Sequence, residues 1–600
     1  MSEYHAPLAE MLFVLNELAG LDQVAGLPGF EEATPDVAVA ILDEAAKFAT
    51  NVLDPLNAHG DREGAVRLPD GSVQMPAGFK DAYRQFCENG WNGLTKTVEY
   101  GGQGLPHLLG TAVEEMWHSS NLAFNLCAML TQGAIEAIEH PGSQALKDRF
   151  LPNMVAGTWT GTMNLTEPQA GSDLAAVRTR AVPQGDGTFK LYGQKIFITY
   201  GEHDYTENII HLVLARTPDA PEGVKGISLF VVPRNLVNDD GSVGARNDVR
   251  CVSLEHKLGI HASPTAIMAY GDQGGAIGYL VGEENRGLEY MFVMMNLARF
   301  SVGMEGVGIS ERAYQRAVAY AKDRVQGRVV GSDRGSTTGP IIGHPDIRRM
   351  LMTMRAETEA MRAVAYVTSA AMDNARRQPD PAARMRHQAF VDFMIPIVKG
   401  CSTEMAQEVA SLGIQVHGGM GFIEETGAAQ HYRDARITTI YEGTTGIQAN
   451  DFIGRKTARD AGAVALGIAD EMQKVADELA HHANKDLHAI GVRLAEGVAA
   501  VRAAVAWLVP AYGTNPRAAL AVAVPYLKLW GSVAGGWQLG RGALAAARHL
   551  ADGVGDARFL TAKIHTARFY AESVLPQAAG LARTIAGSAE PTLALAAEQF

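Results

Sequence analysis

Four runs decide the fold: Gly185-Asp186-Gly187-Thr188-Phe189-Lys190-Leu191-Tyr192, Lys195-Ile196-Phe197-Ile198-Thr199, Ile209-Ile210-His211-Leu212-Val213-Leu214 and Ile227-Ser228-Leu229-Phe230-Val231-Val232. The first opens on turn chemistry, and all are rich in β-branched and aromatic residues bounded by Gly or Pro. No long helical period separates them. They read as an all-β unit over about 158–282 rather than a parallel βαβ sheet. Before it, Val37-Ala38-Val39-Ala40-Ile41-Leu42 and Leu122–Leu130 recur at helical spacing, with a loop from about Gly60 to Pro76. After it, Tyr290–Leu297, Ile347–Thr368 and Phe390–Leu412 restore the 3.6 period, as long helices of a bundle. An Ala-rich helical stretch follows, with breaks expected at Pro510, Gly513–Pro516 and Pro525. The fold class is α+β multidomain, divided as 1–34, 35–157, 158–282, 283–456 and 457–600.

The 600 residues are too long for one core, and 47% hydrophobic against 20% charged residues supplies several. The net charge of −14 excludes broad nucleic-acid binding, which rests on cations against phosphates. Cys87, Cys127, Cys251 and Cys401 are scattered, so a zinc site is not expected and a reducing, cytoplasmic setting is. Glu3 stands where a signal peptide wants basic residues, and no run of about 18 apolar residues predicts a membrane span. There is no GxGxxG, P-loop, HExxH or GxSxG, so any dinucleotide is not held in the Rossmann manner.

Four segments carry possible chemistry. Leu165-Thr166-Glu167-Pro168-Gln169-Ala170-Gly171-Ser172-Asp173 can aim N–H and O–H groups at a polar ligand, or be an ordinary capped turn. In Lys195–Thr199, alternation places Phe197 and Thr199 on one face, as a platform for a flat ring or as a barrel wall. Gln415-Val416-His417-Gly418-Gly419 closes a helix with glycines that permit close approach, His417 reading best as a structural histidine. In Arg433–Gly446, Glu442 sits between apolar Ile440-Tyr441 and a Gly/Thr turn. A desolvated carboxylate there is a candidate general base; a solvated loop Glu is the alternative.

Together these segments resemble the acyl-CoA dehydrogenases, in the order α–β–α with T-E-P-x-A-G-S-D opening the β domain and Y-E-G-T late. The resemblance covers about 35–455, and the helical tail looks like the bacterial subgroup that includes 3-methylmercaptopropionyl-CoA dehydrogenases and some fatty acyl-CoA dehydrogenases, so the implied substrate is either 3-methylmercaptopropionyl-CoA or a fatty acyl-CoA. It implies an N-terminal helical domain, a central β-barrel domain, a C-terminal four-helix bundle and an added helical C-terminal domain. It also implies FAD-dependent α,β-dehydrogenation of an acyl-CoA to a trans-2-enoyl-CoA, with Glu442 taking the α-proton and flavin N5 the β-hydride. Met163, Leu165, Thr166, Gly171, Ser172, Phe197 and Thr199 match flavin-lining positions. Arg324 resembles an arginine reaching the FAD pyrophosphate of a neighbouring subunit, Gln415 and Gly419 adenosine-side contacts, and Thr444 a further FAD contact. Ser172 and Arg299 match CoA-side positions. No metal is implied.

The expected partners are acyl-CoA and an electron-transferring flavoprotein, in a homodimer or homotetramer. Asn164, Gln430 and Gly446 depart from the family's preferences. Ala298 occupies the position where a minority carry the base, which leaves Glu442. An acyl-CoA oxidase using O₂ and a catalytically silent binding or scaffold protein are the other readings.

Overall fold

The computed structural model describes residues 3–329 and 338–600. They form two compact units: Met1–Ala46 with Pro106–Ser119 and Val302–Phe600, and Lys47–Leu105 with Ser120–Ser301.

The second unit is built on an eight-stranded sheet. Its order is Val249–Leu254, Thr265–Tyr270, Phe189–Thr199, Ala276–Leu280, Ser228–Pro233, Asn208–Ala215 and Trp159–Asn164, with Arg180–Pro183 also paired to Phe189–Thr199. Asn208–Ala215 and Ser228–Pro233 are buried along their whole length, which explains their unbroken apolar runs. One pair is parallel, without a crossover α-helix. Trp159–Asn164 runs parallel to Asn208–Ala215, Met163 opposite Leu212 and Asn164 opposite Val213. Its crossover is made by strands and loops, which period reading does not detect. The stretch read as a loop at 60–76 is the end of the helix Asp54–Glu63 and a hairpin pairing Val66–Arg67 with Val73–Gln74.

The first unit is helical. Pro345–Arg377 and Pro381–His417 pack side by side, and the tail helices Ala463–Ala480, Lys485–Thr514 and Ala523–Asp552 pack on one another. Pro510 does not break its helix, because Lys485–Thr514 runs through it and ends at Asn515. Among the described residues this helix alone is long and apolar enough to cross a membrane. One side of it, with Leu487, Ile490, Leu494, Val498, Val501, Val505 and Leu508, is buried in the protein, as in a core helix.

Two buried ionic networks bind this unit's elements. Arg362 donates to Glu115 at 2.6 and 2.8 Å and to Glu311 at 2.6 Å, and Tyr366 completes Glu115 at 2.8 Å. Lys563 of the tail bonds Glu10 at 2.6 Å and Glu359 at 2.8 Å. Each cation lies between two carboxylates, the pairing under which burial of ions is tolerated.

Candidate active site

Arg436–Thr439 ends the helical run before Glu442, and Thr445–Ile453 begins the next. Thr444 caps the latter, its Oγ1 accepting from Ile447 N at 3.2 Å. Between them Glu442 has φ +53° and Gly443 φ +86°. Glycine suits the second position, where a Cβ would also meet Gln448 Nε2 at 2.8 Å. A glutamate at the first costs about 1–2 kcal/mol, so surrounding contacts must hold it.

Those contacts come from buried side chains. Lys399, on Pro381–His417, donates from Nζ to Thr438 O and Gly443 O, both at 2.8 Å. Gln448 Nε2 donates to Glu442 O at 3.1 Å. Tyr441 donates its hydroxyl to Glu305 on Gly287–Asp323. Glu442 itself is half-buried.

In the other unit the two signature segments are tied by an ion pair absent from the candidate residues. Lys195 is fully buried and donates to Glu167 Oε1 at 2.8 Å and Leu165 O at 3.0 Å. Glu167 also accepts from Arg178 N, Thr179 N and Thr179 Oγ1 at 2.7–3.0 Å, which wraps the loop around its carboxylate. Burial opposes ionisation of Glu167, but Lys195 and these hydrogen bonds outweigh it and hold the acid at about 2. Burial lowers Lys195 to about 8 despite its partner. The signal available in the sequence was a lysine opening the apolar run Ile196-Phe197-Ile198, with a glutamate in the loop that it must reach.

Phe189–Thr199 does not alternate regularly. Its pairing with Thr265–Tyr270 shifts register between Ala266 and Met268, and Phe197 takes φ +59° at this bulge. Lys195 is thereby buried, whereas Phe197 is 60% exposed and Thr199 half-exposed. A large exposed aromatic held in the left-handed region can back a flat ring, and an exposed phenyl beside a half-exposed hydroxyl is compatible with an isoalloxazine. Met163 and Thr166 are half-buried, Leu165 is buried, and Gly171 and Ser172 are exposed, with open space where a Gly171 Cβ would stand.

Behind Met163 and Leu165 runs a buried chain. Tyr270 donates to Asn164 Oδ1 at 2.7 Å, Asn164 to Thr162 Oγ1 at 2.8 Å, and Thr162 pairs with His211 Nδ1 at 2.7 Å. The family departure at Asn164 is therefore an inward-facing link, and burial keeps His211 neutral, at about 3. Arg299 is buried on Gly287–Asp323.

The remaining candidates lie in the first unit. Arg324 follows Asp323 and is exposed, as are Gln415 and Gly419. His417 accepts a structural role, with Nδ1 against Gly413 O at 2.7 Å and its ring stacked on Tyr320. Gln430 donates to Asp434 at 3.2 Å. A cavity of about 810 Å³ in the second unit includes Glu202, Asp204, Arg234, Arg246 and Arg250 in its lining and none of the candidate residues. Arg234 and Arg246 are already paired with Glu202 at 2.7–2.8 Å.

Four family descriptions match the chain in order: acyl-CoA dehydrogenase N-terminal domain over 36–158, middle domain over 162–272, C-terminal domain over 285–457, and acetyl-CoA dehydrogenase C-terminal like over 468–596. The chain belongs to the acyl-CoA dehydrogenase family. It is 52% identical to a 3-methylmercaptopropionyl-CoA dehydrogenase of Ruegeria pomeroyi over 95% of this chain and 96% of that one. It is 35% identical to a butyryl-CoA dehydrogenase of Syntrophomonas wolfei over 94% and 92%. Among solved structures, the FAD complex of a Bacillus anthracis acyl-CoA dehydrogenase shares the fold, with a TM-score of 0.75 at 21% identity over 97% of this chain and 92% of that one. The protein is accordingly a flavin-dependent acyl-CoA dehydrogenase whose cofactor is FAD.

Proposed function

We propose that this dehydrogenase uses Glu442 to remove the α-proton of a short acyl-CoA thioester, and that its substrate is 3-methylmercaptopropionyl-CoA. The observation that carries the base assignment is the turn itself. A glutamate is kept in a costly backbone conformation by Lys399 and Gln448, side chains of two other elements. The substrate reading rests on the Ruegeria relative, which bears that substrate in its name. The Syntrophomonas relative favours a second reading, a short fatty acyl-CoA.

An α-proton of a thioester is far less acidic than any carboxylic acid, so the carboxylate needs help. The backbone N–H of Glu442 is the chain's own candidate donor to the developing enolate oxygen, a contribution on the order of 3–4 kcal/mol. Clamping the turn fixes that N–H and the carboxylate together, so neither reorganises during proton transfer. FAD, when bound, supplies the acceptor for the hydride that leaves Cβ. Met163, Leu165, Thr166, Gly171, Ser172, Phe197 and Thr199 are the proposed flavin-side residues. Arg324, Gln415, Gly419 and Thr444 are the proposed contacts to the rest of FAD, Arg324 toward a neighbouring subunit of a dimer or tetramer. Ser172 and Arg299 are assigned to the CoA side. An electron-transferring flavoprotein in the cytoplasm is the proposed acceptor.

The test is anaerobic loss of the yellow absorbance across an acyl-CoA series that includes 3-methylmercaptopropionyl-CoA. Glu442→Gln is expected to keep its FAD and to lose at least about a thousandfold in rate. Near-normal bleaching by that variant would overturn the base assignment. Steady hydrogen peroxide formation in air would replace the dehydrogenase acceptor with O₂.

A further inference from the structure

The turn that carries Glu442 is gripped from a further side by a group the reaction does not consume. Glu305 is fully buried on Gly287–Asp323. Its Oε2 accepts from the Tyr441 hydroxyl, and its Oε1 has no hydrogen-bond partner among the described residues. A buried carboxylate so thinly solvated is expensive, whereas a neutral acid is not. Burial is the main cause that holds Glu305 well above the usual carboxylate range. Glu114 and Glu442 push the same way; Tyr441 and Lys399 oppose. The groups that bear on its charge are Tyr441 and Glu442 from the turn, Lys399 from Pro381–His417, and Glu114 from His107–Glu139.

We propose that Glu305 is a positioning residue for the base, anchoring the Tyr441 phenol and through it the backbone of Glu442. The inference rests on the assignment of Glu442 as base. Tyr441 and Glu442 share a peptide bond, so the torsions on either side of that bond are the ones that must rotate for Glu442 to leave φ +53°. Lys399 fixes the carbonyls of Thr438 and Gly443, which flank the turn, and Glu305 fixes the side chain within it. With the ring held on one side and Glu442 O held by Gln448 on the other, rotation about these torsions works against both anchors. Glu305 does this as an uncharged acid. A second negative charge beside Glu442 would oppose ionisation of the base, and a neutral anchor avoids that.

The experiment compares Tyr441→Phe, Glu305→Leu and Glu305→Gln in the FAD-loaded enzyme. Two rates are read: anaerobic flavin bleaching by acyl-CoA, and wash-out of α-deuterium from acyl-CoA on dithionite-reduced enzyme, which needs no hydride transfer. Both are expected to fall about ten- to hundredfold in Tyr441→Phe and Glu305→Leu, the scale of a misplaced reacting group. Glu305→Gln keeps an uncharged hydrogen-bonding anchor and is expected within about threefold of the parent, with the same pH profile. If Glu305→Leu does not fold, Tyr441→Phe, which removes a single oxygen, carries the test alone. Parent-like rates in Tyr441→Phe would overturn the proposal, as would a Glu305→Gln variant as slow as Tyr441→Phe. If these variants are normal while Glu442→Gln is dead, only the positioning role falls; if Glu442→Gln is active, the base assignment falls first.

Discussion

Replacing Lys399 by Met isolates what holds the proposed base in place. The ammonium donates two 2.8 Å hydrogen bonds, to Thr438 O and Gly443 O, from a fully buried position. Methionine keeps the volume of the stem and removes both donors. Each orphaned carbonyl costs about 1–3 kcal/mol. Gln448 also reaches Gly443 O, at 3.4 Å, and part of the loss is offset because a charge no longer has to be buried. Global stability should fall by about 2–4 kcal/mol. The local consequence is larger in proportion. Glu442 at φ +53° stores about 1–2 kcal/mol that the clamp opposes. With Gln448 and Tyr441 still holding it, the turn should shift toward a relaxed conformer by up to about 5- to 30-fold, and the bleaching rate at saturating acyl-CoA should fall by the same factor. FAD content, read at 450 nm or so, should not change. Stopped-flow anaerobic bleaching gives the rate, and urea melts give the stability. A variant that bleaches within twofold of the parent while losing the expected stability would show that the strained turn does not depend on Lys399, and the argument from strain would fail.

Phe197→Gly removes a left-handed non-glycine residue, so the apoprotein should gain about 1 kcal/mol in a thermal melt while FAD affinity, by fluorescence titration, weakens. Arg362→Leu leaves Glu115 and Glu311 buried without their shared cation and should cost about 3–5 kcal/mol in urea unfolding. Asp373 accepts from His107 N and Leu108 N, both at 2.9 Å, yet burial dominates and pushes its acid up to about 7. The folded state therefore binds a proton that the unfolded chain releases near pH 4, so its contribution is complete below pH 4 and is lost as pH rises to 7. Asp373→Asn should flatten that decline in denaturant midpoints taken across the window, and an unchanged slope would contradict the burial argument.

Local pattern was enough for much of this molecule. β-Branched runs between turns announced the strands, and unbroken 3.6 periods announced the long helices, because both depend on which side of an element meets water. The segments around Ser172, Phe197, Gln415 and Glu442 were visible as short motifs, and their joint order led to the family. What the chain order could not display was who holds whom. Glu167 and Lys195 are 28 positions apart and pair only because a strand runs back past its own entry loop. The bulge that lifts Phe197 out of alternation exists through its pairing with Thr265–Tyr270, not through its own residues.

Glu442 could be picked out as a carboxylate beside apolar neighbours, but not as one held at positive φ by Lys399 and Gln448, nor with Tyr441 tied to Glu305, 136 positions away. Sequence by itself determined element types, the family and the candidate carboxylate, since propensity, burial period and motif are written in near neighbours. Tertiary structure alone decided the conformation of that carboxylate's backbone and which buried groups bear on it, since a strained dihedral and a desolvated charge persist only where distant parts of the chain close around them.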